Sequence, residues 1–200
     1  HPTRTLMSEQ YRIDTSRNVA YIEVSSDFYR ELFNEWDFSP TMNRDLDDDL
    51  FEYLDECVAE IPGNPALHID FHMSLSIADE SRENACTRGI RNYFQYQLRR
   101  ERNSMRRIWG DGLRYALYGA VFLFVGSQLN RHSPEDSQFE FLIEGFSIGG
   151  WVLFWELFSI IFFKVRTHRE KILRLERLRD AKIAYVYAES SDSESPAGQS

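Results

Sequence analysis

Two long apolar runs in the second half of the chain constrain its fold more than any other feature. The first covers residues 113–129, which is 17 residues, and the second covers residues 141–163, which is 23 residues. At 1.5 Å of helical rise per residue they reach about 25 Å and about 35 Å, and the hydrocarbon core of a bilayer is about 30 Å thick. Trp109 and Arg114 are placed to extend the shorter run at the interface. The alternative is two buried core helices of a soluble protein, but a soluble domain of this size seldom exposes so apolar a pair, so the pattern predicts a two-helix transmembrane hairpin.

Lys and Arg flank both runs, and their distribution predicts an orientation. Six arginines precede or open the first run and eight basic residues follow the second, whereas residues 130–140 contain Arg131 alone. Cytoplasmic flanks of membrane helices are enriched in Lys and Arg, so we expect both termini in the cytoplasm. These side chains either set the topology alone or also bind anionic lipid headgroups. The candidates for lipid binding are Arg106, Arg107, Lys164, Arg166 and Arg169.

The rest of the sequence predicts a small α/β domain. Alternating or β-branched residues indicate strands at 19–24, 66–75 and 182–187, the last of which is expected to return to the sheet of the first two. Apolar residues at helical spacing indicate helices at 28–36, 45–61 and 166–179. Another helix, over 80–107, is expected to run on into the first membrane segment. The predicted fold class is an α+β membrane protein with a cytoplasmic α/β domain of two or three strands, joined by this long helix to the hairpin.

The predicted organisation has eight segments. They are an N-terminal extension (1–18), the cytoplasmic α/β domain (19–98), a basic juxtamembrane helix (99–112), transmembrane helix 1 (113–129), an external loop (130–140), transmembrane helix 2 (141–163), a basic cytoplasmic helix with a terminal strand (164–187) and a disordered tail (188–200). The tail is rich in Ser, Gly, Pro and acidic residues, a composition typical of disorder.

Composition excludes some classes of function. Residues 1–98 hold 19 acidic and 8 basic side chains, which argues against nucleic acid as a partner because phosphate binding needs a cationic surface. Cys57 and Cys86 lie far apart and match no metal-binding spacing, so we expect two free thiols. No catalytic motif is found, and neither an enzymatic activity nor a cofactor is expected.

The most enzyme-like spacing is His68, Asp70 and His72. On a strand these three side chains share one face, and two imidazoles with a carboxylate can bind a metal. The alternative is a solvated strand face that carries two histidines. Because the sequence offers no further ligand, we expect no metal there.

Glu156 lies about 12 Å inside the second apolar run by the helical rise. It shares a helical stripe with Gly145, Gly149 and Ser159, and Gly145 with Gly149 forms a GxxxG pattern that favours close helix packing. Ionisable groups in a bilayer usually have a partner. Tyr118 or Arg114 is the expected partner of Glu156. Its role is either that of a hydrogen-bonded packing residue or that of a step in an ion path.

The order of these blocks resembles a poorly characterised family of bacterial two-pass inner-membrane proteins. The resemblance rests on the acidic helix RDLDDDLFEYLDECVAEIP, the strand LHIDFHM, the basic helix with IRNYFQYQ, and an EGxxIxGWVxxW-like second span over residues 144–155. It implies a multi-pass protein of the bacterial inner membrane and brings no catalytic residue. We therefore expect a non-enzymatic anchor, scaffold or accessory subunit that self-associates or joins a larger membrane complex. The alternative is an oligomeric channel or transporter subunit that uses Glu156.

Overall fold

A computed structural model of the chain describes residues 11–132 and 137–188. Within these residues the chain divides into two units, one formed by the segments up to Leu98 and from Leu173 onward, the other by Arg99–Ile172. The elements in chain order are β1 (Arg12–Asp14), β2 (Val19–Ser25), α1 (Asp48–Glu60), β3 (Ala66–Ser74), α2 (Glu80–His132), α3 (Ser137–Ser159), a π-helical turn (Ile160–Val165), α4 (Arg166–Asp180) and β4 (Lys182–Ala188).

The first unit is built on a mixed sheet with strand order β1-β2-β3-β4. β1 is antiparallel to β2, whereas β2, β3 and β4 are parallel, with Ile69 opposite both Ile22 and Ile183. Alternate residues of the inner strands, among them Ile22, Ile69 and Phe71, are fully buried and form the core face of the sheet. The three predicted strands and the return of the last strand to the sheet are confirmed.

β1 corrects the predicted boundary of the N-terminal extension. Residues 12–14 fall inside the segment 1–18, yet they pair with β2 and raise the strand number to four. A strand of three residues carries too few side chains for an alternating pattern to be recognised, so its pairing depends on tertiary contact.

Helix α1 begins after Asp47, whose side chain accepts hydrogen bonds from the backbone N–H groups of Asp49 and Leu50. It ends before the segment Pro62–Pro65, where Gly63 has a φ of 79°. Its buried residues are Leu54, Cys57 and Val58. The helix predicted over 45–61 is therefore confirmed, with a start three residues later. Both cysteines are free, as expected, and the structure places both in buried positions.

The helix predicted over 28–36 is wrong. Only a 3-10 turn forms, at Tyr29–Leu32. Phe33 then makes an isolated β-bridge with Leu46, and the N–H of Asn34 donates to the carbonyl of Asp45. The backbone groups of Phe33 and Asn34 therefore bond to residues 45–46 and not within a helix. Burial of the Phe33 side chain further stabilises this extended conformation relative to a helical one.

The predicted two-helix transmembrane hairpin is also wrong. Among the described residues, one continuous helix, Glu140–Asp180, has the length and apolarity to cross a membrane, with a mean hydropathy of 1.8 in its most apolar window. The first predicted run instead lies inside α2, a single helix of 53 residues. That run is short for a span, and Arg114, Tyr118 and Gln128 lower its hydropathy.

The remaining helix predictions compare well with the structure. The helix from residue 80 does continue without a break beyond residue 107, and α4 buries Leu175 and Leu178 of the predicted apolar stripe. Of the predicted loop and tail, residues 133–136 and 189–200 lie outside the described residues.

The cap of α1 gives a direct test of local stability. We expect Asp47→Ala to lower the free energy of unfolding by about 1 kcal/mol, because two backbone N–H groups lose their acceptor. The matched control is Asp48→Ala, which removes the same charge from the first turn without removing a cap. Thermal unfolding of the detergent-solubilised protein followed by circular dichroism measures both; equal losses would contradict the assigned cap.

Candidate functional site

The second unit contains the apolar helix α3, packed closely against α2. The contact on α2 is made by Gly112, Gly119 and Gly126, which recur every seven residues and are all buried. A Cβ atom added at Gly119 would lie 3.1 Å from the Phe154 ring and 3.3 Å from the Gly150 carbonyl oxygen. A seven-residue repeat keeps one stripe of a helix against its neighbour, and glycine there lets the backbones approach.

The contact on α3 is made by a different pair of glycines from the one predicted. A Cβ at Gly150 would lie 2.6 Å from Leu123 and 3.2 Å from the Gly119 carbonyl oxygen, and a Cβ at Gly149 would lie 3.0 Å from the Phe122 ring. Gly145 has nothing within 4 Å of such an atom. The predicted GxxxG pair is therefore split, with Gly149 in the helix contact and Gly145 in open space.

The opposite side of α3 is apolar and uncovered in the described structure. Only 11% of the most apolar 18-residue stretch of the helix Glu140–Asp180 is buried. Trp155 is 77% exposed and Val152 is 61% exposed, and the π-helical turn continues the surface with Phe162 and Phe163. Contiguous apolar surface of this kind marks a membrane or partner contact rather than a surface adapted to water.

Glu156 has a different partner from the two predicted. Its carboxylate lies 3.8 Å from the ammonium group of Lys164, at the far end of the π-helical turn. Arg114 binds Asp111 at 2.8 Å, and Tyr118 is exposed. The long Lys164 side chain can follow the apolar helix surface while its charge stays near the polar end. Ser159, on the same predicted stripe, is partly exposed.

A polar cluster around Glu101 joins α2 to the start of α4 within the second unit. Glu101 is 9% exposed; its carboxylate lies 2.9 Å from Nδ1 of His168 and 2.8 Å from the ammonium of Lys171. Burial by itself would raise the pKa of Glu101, but hydrogen bonds from Lys171 and His168 outweigh it and hold the pKa below the usual value. We interpret the cluster as a structural one that links α2 to α4 through charged hydrogen bonds.

The candidate lipid-binding residues all have exposed side chains. These are Arg106, Arg107, Lys164, Arg166 and Arg169. Arg166 also pairs with Glu170 at 3.0 Å, one turn further along α4. Their exposure leaves them available to phosphate groups, and their role stays a prediction.

The candidate metal-binding trio lies on β3 and engages other side chains. Asp70 is buried and lies 3.4 Å from the Arg12 guanidinium, His72 lies 3.9 Å from Glu23, and His68 packs edge-on against Tyr21. Within residues 11–132 and 137–188, no group of three or more His, Cys, Asp or Glu side chains is arranged to hold a metal ion. This side of the sheet is better described as a network of ion pairs and ring contacts.

Two features were not predicted from the sequence. They are the glycine seam, formed by Gly112, Gly119 and Gly126 of α2 with Gly149 and Gly150 of α3, and the Glu101 cluster. The seam left a readable signal, since glycine costs about 1 kcal/mol in a helix interior and three glycines at seven-residue spacing need a packing reason. The Glu101 cluster left none, because His168 is 67 residues away along the chain.

Comparison with models of known protein families, with characterised proteins and with solved structures finds no significant match to this chain. The resemblance to bacterial two-pass proteins therefore stays a prediction, and function has to be argued from the surfaces described above.

The glycine seam predicts an asymmetric response to added methyl groups. We expect Gly150→Ala to lower the free energy of unfolding by about 1–3 kcal/mol, because the new Cβ overlaps Leu123 and approaches a backbone oxygen. Gly145→Ala, on the same helix in open space, should be neutral or stabilise by up to about 1 kcal/mol through helix propensity. Melting temperatures in detergent test this; a Gly145→Ala loss as large as that of Gly150→Ala would refute the seam.

The Glu101 cluster predicts a pH dependence with a defined sign. The folded-state pKa of Glu101 lies below the unfolded value, so the stabilisation is complete above the unfolded pKa and is lost as pH falls through the folded one. Glu101→Gln should therefore melt below the native protein at neutral pH, and the gap should narrow as the pH falls below the usual carboxyl range. Glu170→Gln, at an exposed pair, is the control and should have little effect at any pH.

Proposed function

We propose that this protein is a non-enzymatic membrane anchor or scaffold whose second unit is embedded in lipid through α3. The observation that supports this proposal is the uncovered apolar surface of α3, which belongs to the helix Glu140–Asp180, whose most apolar stretch of 18 residues is 11% buried. In water such a surface would be costly to expose, whereas at the centre of a bilayer each Leu, Ile, Phe or Val favours insertion by about 0.3–0.6 kcal/mol.

The composition of that surface supports lipid rather than water as its surroundings. Trp151 and Trp155 lie on its exposed side with Val152 and Ile148 between and beside them. The apolar run 141–163 holds two carboxylates, of which Glu144 lies near its N-terminal end and Glu156 is paired with Lys164. An ion pair lowers the cost of placing a carboxylate near hydrocarbon, and this supports a packing role for Glu156. Its participation in an ion path stays a prediction.

The topology of the sheet indicates that the segments before and after the second unit lie on one side of the membrane. β3 precedes that unit along the chain, β4 follows it, and the two strands are hydrogen-bonded neighbours in one sheet. The segments on either side therefore lie on the same side of any membrane, so α3 is embedded in the lipid without carrying the chain across it. We assign that side to the cytoplasm, because the basic residues of α4 directly follow the apolar surface.

The scaffold part of the proposal rests on what the exposed side of α3 could bind. Gly145 lies there with open space around it, so a second helix could approach closely at that point. A second copy of this chain or a helix of a larger membrane complex would fit such a surface. Native mass spectrometry after gentle detergent extraction would detect either.

Charged substitutions test membrane embedding. In the double variant Val152→Arg with Trp155→Arg, each arginine should cost about 2.5–3.5 kcal/mol near the bilayer centre. We expect the native protein to remain in the membrane pellet after alkaline carbonate extraction and the variant to be released or degraded. The control is Trp36→Arg, at a position that is 91% exposed in the first unit, and it should remain in the pellet. Native protein found in the supernatant would refute the proposal.

A further inference from the structure

A polar cleft in the first unit gathers positive charge in an otherwise acidic part of the molecule. It has a volume of about 530 Å³ and lies between residues 88–95 of α2 and the end of α4. Its lining residues are Arg88, Arg91, Asn92, Gln95, Arg179 and Asp180. Small-molecule sites commonly have volumes of about 300–1,000 Å³, so the cleft is of a size to hold a small ligand.

Two of the arginines in this cleft carry uncompensated charge. Arg88 and Arg91 lie one turn apart on α2, and within the described residues neither makes an ion pair with a carboxylate. The segment that carries them is acidic, with 19 acidic and 8 basic side chains over residues 1–98. Among other exposed arginines of the same unit, Arg17 pairs with Asp14 and Arg82 with Asp79, whereas Arg30 lies over the Phe28 ring.

The remaining lining residues add fixed hydrogen-bonding groups. Arg179 is held by two bonds to its neighbour Asp180, at 2.8 Å from Nε and 2.7 Å from Nη2, which satisfies that carboxylate locally. Asn92 is held by donating to the Met42 carbonyl at 2.8 Å. Gln95 lies one turn further along α2 and offers a neutral amide.

We propose that this cleft binds a phosphate group. The arginine guanidinium offers a planar set of N–H donors that matches phosphate oxygens two at a time, and the charge of a phosphate dianion would balance that of Arg88 and Arg91. An apolar ligand finds little complementary surface among these side chains. The phosphate can belong to a soluble phosphorylated molecule or to a phospholipid headgroup, and the proposal does not depend on the membrane role of α3.

The test uses the full chain in a neutral detergent with two probes, inorganic pyrophosphate and a short-chain phosphatidic acid. Binding is measured by calorimetric titration to the native protein, to Arg88→Gln with Arg91→Gln, and to the control Arg17→Gln with Arg82→Gln. Both double variants remove two positive charges from the same unit. We expect the cleft variant to weaken binding at least tenfold and the control to leave it within about twofold, with melting temperatures showing that both variants fold.

The two probes separate the sources of the phosphate. If the cleft variant loses binding of pyrophosphate but not of phosphatidic acid, the result supports a soluble ligand. If it loses binding of phosphatidic acid but not of pyrophosphate, the result supports a lipid headgroup. The proposal is overturned if neither probe binds the native protein or if both double variants lose binding equally. Binding of an acidic polyglutamate peptide through Arg88 and Arg91, with neither phosphate probe bound, would also overturn it.

Discussion

An apolar helix surface without a protein cover is the constraint on which the rest of this structure depends. One side of α3 packs against α2, and glycine residues let the two backbones approach closely there. The other side exposes Val152, Trp155 and their neighbours. Hydrophobic stabilisation is proportional to the area removed from water, so the exposed side contributes nothing until lipid or another helix covers it. The proposed membrane embedding rests on this imbalance.

Ion pairs in each of the two units complement the apolar packing. In the second unit, the buried carboxylate of Glu101 contacts Lys171 and His168, so charged hydrogen bonds connect α2 to α4 outside the glycine contacts. In the first unit, Arg174 and Asp55 lie 2.8 Å apart and join α4 to α1. A partly buried ion pair of this kind contributes chiefly by fixing one arrangement, since desolvation offsets much of its attraction.

Periodic patterns in the sequence were sufficient for the main elements of the first unit. The strand predicted at residues 66–75 alternates apolar and polar side chains, and the structure shows it at 66–74. Its apolar side chains are buried, and Asp70 on the other face is buried as well. The failures have tertiary causes. β1 is too short to show a pattern, and residues 33–36 leave the helical state because Phe33 pairs with Leu46.

The candidate site was less accessible from sequence than the fold. Apolar content alone led to two spans, although Arg114 and Gln128 dilute the first run and one helix passes the length and hydropathy requirement. The partner of Glu156 was sought on the neighbouring helix, whereas the flexible Lys164 reaches it along the same helical path. Side-chain reach and long-range ion pairs depend on three-dimensional placement that spacing does not encode.

Spin labels placed one at a time along α3 in a reconstituted bilayer test the central claim most directly. Labels at Ile148, Val152 and Trp155 should collide often with oxygen and rarely with a water-soluble nickel reagent, because lipid concentrates oxygen and excludes the metal complex. A label at Trp36 should show the opposite ratio. Nickel accessibility at Val152 equal to that at Trp36 would mean that the apolar surface faces water or a polar partner, and membrane embedding would be contradicted.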